Sequence, residues 1–140
     1  MAEEIGSTCI CMAVQRAARV VARQFDEAFR DLGINNWQFS LLVAVGHSEP
    51  KAIGALAELL DIDQTTLSSN LKLLERREFL QVQRSNTDRR VKLVGLTKQG
   101  RDLVVEALPH WRKLNRKINT RMSDFRGENL HQELEKLASG

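Results

Sequence analysis

The stretch IGALAELLDIDQTTLSSNLKLLERREFL, residues 53–80, leaves the chain few ways to fold. Residues 53–60, IGALAELL, have the length and apolar content of a short helix, and DID breaks them off. Asp63 then stands where a side-chain oxygen can accept a backbone N–H of the next turn. From Gln64 to about Glu78, apolar residues return at Leu67, Leu71 and Leu74, steps of four and three that line one side of a helix. Two such helices joined by a turn of three or four residues form a helix-turn-helix. Next, Leu80 and Val82 alternate with Gln81 and Gln83. After a polar tip, Val91 and Leu93 alternate with Lys92. Alternation on both sides of a turn-forming stretch predicts a β-hairpin, a wing beside the two helices.

The flanks read as helix. From Cys9 to Leu32 the residues Ala13, Ala17, Val21, Phe25, Ala28 and Leu32 form one stripe. Gly33 is placed as its stop, with Ile34 positioned for the apolar contact of a Schellman-type cap. Asn35 and Gln38 have capping-box spacing and open a helix through Phe39, Leu42 and Val43, which GHSEP ends. Thr97 caps a long helix through Leu103, Val104, Leu108, Trp111, Leu114 and Ile118, in which Pro109 is expected to cause a bend or local break. SDFRGEN interrupts the pattern, and Leu130, Leu134 and Leu137 mark a last amphipathic helix.

The fold class is therefore mainly α with a small β-hairpin wing. A single domain spans 1–140, with a winged helix-turn-helix core over 36–96 and a helical dimerisation region over 8–34 and 97–138. The terminal stripes have no obvious partner inside so small a fold, so self-association as a homodimer is the economical way to bury them.

Charge points to the partner. The net charge is only +3. Yet residues 64–101 hold nine basic side chains against Glu75, Glu78 and Asp88, a local +6 that leaves −3 for the remainder. A basic segment on a near-neutral chain suits a polyanion. No apolar run reaches the roughly 18 residues of a membrane span, and MAEEIGSTCI lacks the basic start and apolar stretch of a signal peptide, so a cytoplasmic protein is expected. Cys9 and Cys11 are one residue apart, too close for a structural disulfide framework. His47, His110 and His131 form no metal-ligand spacing. With no glycine-rich phosphate loop or nucleophile motif, no enzymatic activity, cofactor or metal is expected.

With these elements in order, the chain resembles the MarR (multiple antibiotic resistance regulator) family from about Cys11 to Leu137. TDRRVKLVGLTKQG is similar to the family's wing signature, an Asp-x-Arg at the tip followed by Leu-Thr-x-x-Gly. LAELLDIDQTTLSSNLKLLERREFL is similar to its helix-turn-helix, and LGINNWQFSLL to its first turn and second helix. Two positions depart: Ala52 stands where a Ser or Thr often caps, and Glu78-Phe79 replaces a small or glycine turn. The resemblance implies a homodimer that binds a pseudo-palindromic operator in double-stranded DNA and represses a nearby promoter until a small-molecule effector loosens it.

In such a dimer the second helix of the motif enters the major groove with Gln64, Thr65, Thr66, Ser68, Ser69, Asn70 and Lys72 exposed. Thr65, Thr66, Ser68 and Ser69 are expected at bases, and Lys72 and Arg76 at phosphates. Gln64 and Asn70 carry the amide geometry that pairs with adenine. At the wing tip Arg90 matches the motif arginine and would enter a minor groove, held in a bidentate pair by Asp88, with Arg84 and Arg89 on phosphates. For the effector, Arg16, Trp37, His47 and Trp111 are candidates to line a pocket between the dimer helices and the winged helix. A second class is thiol sensing through Cys11, Cys9 or both. Cys11 lies near the start of the first helix, where the hydroperoxide-sensing branch of the family keeps its cysteine, and Arg16 about a turn away favours thiolate chemistry. That branch activates its cysteine with tyrosines, and this chain has none; oxidation in another setting, or soft-metal or metalloid capture by CICM, is the corresponding expectation.

Overall fold

In the computed structural model, which describes residues 1–47, 51–122 and 127–140, helices account for most of the chain. They are α1 (Ala2–Thr8), α2 (Ile10–Ala28), α3 (Asn36–Gly46), α4 (Ile53–Leu60), α5 (Gln64–Arg76), α6 (Lys98–Thr120) and α7 (Gly127–Ser139). Strands β1 (Lys51–Ala52), β2 (Leu80–Arg84) and β3 (Lys92–Leu96) form one antiparallel sheet in the order β1-β3-β2. The last parts of GHSEP and the first part of SDFRGEN, residues 48–50 and 123–126, lie outside the described residues.

Helix starts follow the polar side chains that the spacing predicts. The Asn35 side chain accepts from the Gln38 N–H at 2.8 Å, and the Gln38 side chain accepts from the Asn35 N–H at 3.0 Å, a complete capping box on α3. Asp63 accepts from the Thr66 N–H at 2.8 Å at the head of α5. Thr97 accepts from the Gly100 N–H at 3.0 Å at the head of α6. Ala52 offers no such bond to α4. Instead Lys51 and Ala52 pair with Val94 and Leu93, so a third strand, unforeseen in the sequence, holds the entry to α4.

Helix ends depart from the expectations in instructive ways. The first predicted helix begins later and stops sooner: α1 precedes it, Cys9 is extended between the two, and α2 ends at Ala28. A 3-10 turn over Arg30–Leu32 then leads to Gly33, whose φ of 69° is left-handed. Ile34 is buried beyond it. Helix α5 ends at Arg76 rather than Glu78, because Glu78 takes a φ of 63°. The Phe79 N–H then reaches the Leu74 carbonyl at 3.0 Å and the Glu78 N–H reaches that of Glu75 at 2.9 Å, the paired bonds of a Schellman closure. Pro109 does not break α6, which runs through it to Thr120. Both Pro109 and Val105, whose carbonyl loses its usual donor, lie on the exposed side, where water can satisfy the freed oxygen.

The core gathers one face of each central element: Phe29, Leu41, Leu42, Val45, Leu56, Leu67, Leu71, Leu74, Leu80 and Val94 are almost fully enclosed. The Phe29 and Phe39 rings meet at 4.6 Å. On the second hairpin strand the alternating residues Val91 and Leu93 are only half-buried. Leu80 pairs with Leu96 and Val82 with Val94, so the inward residues are Val94 and Leu96. Register is set by what β2 must bury, and side chains alternate strictly from there. The ends of the molecule are different. No residue of α2 is buried, and Ile5, Ile10, Met12, Leu134 and Leu137 are exposed.

One joint closes the winged helix. The Phe79 carbonyl accepts the Thr97 N–H at 3.1 Å, and the Thr97 hydroxyl donates to the Glu78 carbonyl at 2.5 Å. A Cβ added at Gly100 would stand 2.1 Å from the Phe79 oxygen, closer than any atom of that size can approach. Gly100→Ala should therefore push α6 off the sheet and lower stability by about 2–3 kcal/mol, read as a lower urea midpoint.

Acid should also act through the caps. Asp26 accepts from both the Asn36 N–H at 2.8 Å and its side-chain amide at 2.7 Å, tying α2 to α3. These bonds hold its carboxyl below the ordinary value of 3.8, and bonds from the Thr66 hydroxyl and N–H do the same for Asp63. A carboxyl depressed in the fold binds protons less readily than in the unfolded chain. Its stabilisation is thus complete above the unfolded value and is lost as pH falls through the folded one. Melting temperature should be level from pH 7 to about 5 and decline below about 4. Asp63→Asn should melt lower at pH 7 and show a shallower acid decline.

Candidate nucleic-acid interface

Helix α5 presents the face that the periodicity implies. With Leu67, Leu71 and Leu74 turned inward, Gln64, Thr65, Thr66, Ser69, Lys72 and Arg76 are exposed, and Ser68 and Asn70 are half-buried. Several of these polar groups are already engaged. The Thr66 hydroxyl donates to Asp63 at 2.6 Å, the Ser69 hydroxyl to the Thr65 carbonyl at 3.0 Å, and the Asn70 amide to the Thr66 carbonyl at 2.8 Å. What Thr66 and Ser69 offer outward in this state is oxygen lone pairs. The Gln64 amide leans over Gly54 of α4, where an added Cβ would meet its nitrogen at 3.4 Å.

The wing tip is a small, closed hydrogen-bonded turn. The Ser85 N–H donates to the Val91 carbonyl at 2.8 Å and the Val91 N–H to the Asp88 carbonyl at 3.0 Å. The Ser85 hydroxyl accepts from the Thr87 N–H at 3.2 Å. Arg90 grips Asp88 through Nε on Oδ1 at 3.2 Å and Nη2 on Oδ2 at 3.3 Å, and its backbone N–H reaches Oδ1 at 3.1 Å. The guanidinium bonds lead the effects that hold the Asp88 carboxyl below its ordinary value. Meanwhile the Arg90 side chain is 90% exposed. An exposed ion pair of this kind adds little stability; its effect is to fix where the guanidinium points. Arg89 is exposed beside it. Arg84 is partly committed elsewhere, donating to the Arg89 carbonyl at 2.9 Å and bracing the tip from the strand side.

Arg77 has a role that charge counting does not reveal. It caps the end of α5 and donates to the Gly33 carbonyl at 2.7 Å, with its guanidinium carbon 4.9 Å from the Phe79 ring centre. Its only sequence signal is an arginine followed by an aromatic two positions on.

The four effector candidates are not brought together. Trp111 lines a cleft of about 240 Å³ with Val21, Phe25, Phe39 and Ser40, between α2, α3 and α6. Arg16 lines another, of about 410 Å³, with Val20, Gln24, Ile118 and Met122. Trp37 packs partly buried on the core, and His47 is the exposed cap of α3. A larger groove of about 810 Å³ between α2 and α6 has Val20, Ala28 and Leu114 on its lining and Arg23, Lys113, Lys117 and Arg121 around them. Sequence reading missed it, since no motif marks a groove formed by two helices far apart in the chain.

Cys11 is exposed and Cys9 half-buried, with both thiols free. The Gln15 amide donates to the Cys11 sulfur at 3.1 Å. Among the described residues no group of three or more His, Cys, Asp or Glu side chains could hold a metal ion, and no helix is long and apolar enough to cross a membrane.

Similarity to known proteins agrees with this geometry. The MarR family model matches residues 32–91, which hold α3 to α5 and most of the wing. The uncharacterised HTH-type transcriptional regulator YwoH of Bacillus subtilis is 26% identical over 115 residues, covering 82% of this chain and 81% of that protein. The organic hydroperoxide resistance transcriptional regulator of Bacillus subtilis is 26% identical over 91 residues, or 65% of this chain and 62% of that one. Among solved structures, the M. tuberculosis transcriptional regulator MosR, crystallised in complex with DNA, superposes with a TM-score of 0.84 at 29% identity over 94% of both chains. With the helix-turn-helix, the wing and the flanking helices all in place, residues 32–91 match the MarR family and the whole chain is similar in fold and sequence to its winged helix-turn-helix transcriptional regulators.

Proposed function

We propose that this regulator is a homodimeric repressor that binds a pseudo-palindromic operator and leaves it when an effector engages the helical region. The observation that carries the DNA reading is the wing tip, where Asp88 aims an almost fully exposed Arg90 away from the body of the protein. A guanidinium held this way matches a narrow minor groove, where negative potential is concentrated. On α5, Thr65, Thr66, Ser68 and Ser69 meet base edges, with Gln64 and Asn70 beside them, while Lys72, Arg76, Arg84 and Arg89 meet phosphates. The outward lone pairs of Thr66 and Ser69 suit the amino groups of adenine and cytosine, which are the donors of the major groove. Dimerisation covers the apolar residues exposed on α1, α2 and α7, and the complex of MosR with DNA supports the same partner here. The protein acts without catalysis, in the cytoplasm where its DNA partner lies.

Selection from randomised duplexes should return a dyad-symmetric site, bound at least about 10³-fold more tightly than random DNA at physiological salt. Arg90→Ala should keep the far-ultraviolet spectrum and weaken that site by about tenfold or more. An Arg90→Ala protein of near-wild-type affinity would remove Arg90 from the interface. For the effector, Trp111 and Arg16 line two neighbouring clefts that share Val21.

A second mode of release rests on Cys11. Its sulfur is exposed, carries a donor from Gln15, and sits one residue from a second free thiol at the break between α1 and α2. Similarity to a regulator of organic hydroperoxide resistance favours thiol oxidation over metal capture. Treating the operator complex with a hydroperoxide should release wild-type protein and spare Cys11→Ser. Equal release from Cys9→Ser and Cys11→Ser together with wild type would leave the small-molecule effector alone.

A further inference from the structure

Two covalent routes lead from the recognition helix to the terminal helices, and only the forward one passes the turn at Arg77–Phe79. One runs forward through the wing to Thr97 and α6, whose backbone is locked to the carbonyls of Glu78 and Phe79. The other runs back through α4 and α3 to the end of α2, and there the covalent path is long. Arg77 bridges that gap directly. Its Nη1 donates to the Gly33 carbonyl at 2.7 Å, across 44 positions of sequence, and an added Cβ at Gly33 would stand 3.2 Å from Nη2. The other side of the guanidinium faces the Phe79 ring at 4.9 Å. The plane is therefore held between the turn that closes α2 and the turn that closes α5, directed at the protein.

We propose that Arg77 is a positioning residue for operator recognition: its clasp between Gly33 and Phe79 sets the angle of α5 against the dimer helices, and with it the half-site spacing the dimer accepts. This rests on the dimeric DNA-binding reading above. The lever is long enough to matter. Helix α5 has 13 residues, about 20 Å at 1.5 Å per residue. A swing of about 10° moves its far end by about 3.5 Å, close to the 3.4 Å step between base pairs. Loosening one guanidinium clasp in each subunit thus changes which spacing fits.

The test uses the full-length dimer and its selected operator, with the two half-sites moved one base pair closer and one further apart. Affinity is measured on each duplex and over a range of salt. Wild type should lose about tenfold or more for either shift. Arg77→Ala should retain the base preference within each half-site and the wild-type salt slope, yet lose less than about threefold for the same shifts. Arg77→Lys keeps the charge and one donor but not the flat clasp. It should fall between the two, and it carries the test if the alanine variant does not fold. An unchanged spacing profile in both variants would overturn the proposal, as would a salt slope reduced by about one ion per subunit, which marks a phosphate contact. A wild-type protein that selects no dyad-symmetric site removes the dimeric reading itself, whereas a sharp wild-type profile shared by the variants removes only the role of Arg77.

Discussion

The contact between the Phe79 carbonyl and Gly100 is the one on which the rest of the arrangement depends. At that point the recognition helix has just ended, the wing begins, and the long helix α6 returns to pass directly over the turn. The backbone can come so close only because residue 100 has no side chain, and the approach lets Phe79 accept the Thr97 N–H while Thr97 caps α6. Glu78 is held in a left-handed conformation to make the turn this tight. A left-handed residue other than glycine carries a cost of about 1–2 kcal/mol, offset here by the paired bonds of the Schellman closure and by the Thr97 hydroxyl on the Glu78 carbonyl.

Electrostatics work in the same direction. The segment that carries the basic charge contains few acids, and two acids, Asp63 just before it and Asp88 within it, orient neighbouring side chains. Asp63 collects two donors at the head of α5 and fixes the proton of Thr66, which decides that the hydroxyl faces outward as an acceptor. Asp88 collects three donors from Arg90. Neither interaction buries enough charge to stabilise the fold strongly. Each restricts a flexible group before any partner arrives, and so lowers the entropic cost of binding.

Much of this was legible in the chain. The capping residues Asn35, Gln38, Asp63 and Thr97 could be read because their bonds are made within three positions. The stripe Leu67, Leu71, Leu74 could be read because helical periodicity is local. The strand β1 could not, since two residues have no period and Ala52 resembles nothing but a poor cap. The alternation of Val91 and Leu93 with Lys92 did not show that Val94 and Leu96 are the buried residues of β3, because alternation carries no phase until a partner strand supplies it. Pro109 reads as a bend or local break in isolation, yet the Val105 carbonyl it leaves without a donor lies on the exposed side of α6. The candidate interface divides the same way. Arg90 beside Asp88 is a local pattern, whereas Arg77 reaches a carbonyl 44 positions away, and Arg16 and Trp111 fall in different clefts.

The sequence by itself determined the element types, most of their starts and the pairing of charges at the wing tip, because each of these depends on neighbours within one or two turns. The tertiary structure alone decided the strand phase, the third strand, the clasp of Arg77 on Gly33 and the separation of the clefts. Those depend on which distant surfaces come within a few ångströms, and that is settled only when the core has closed.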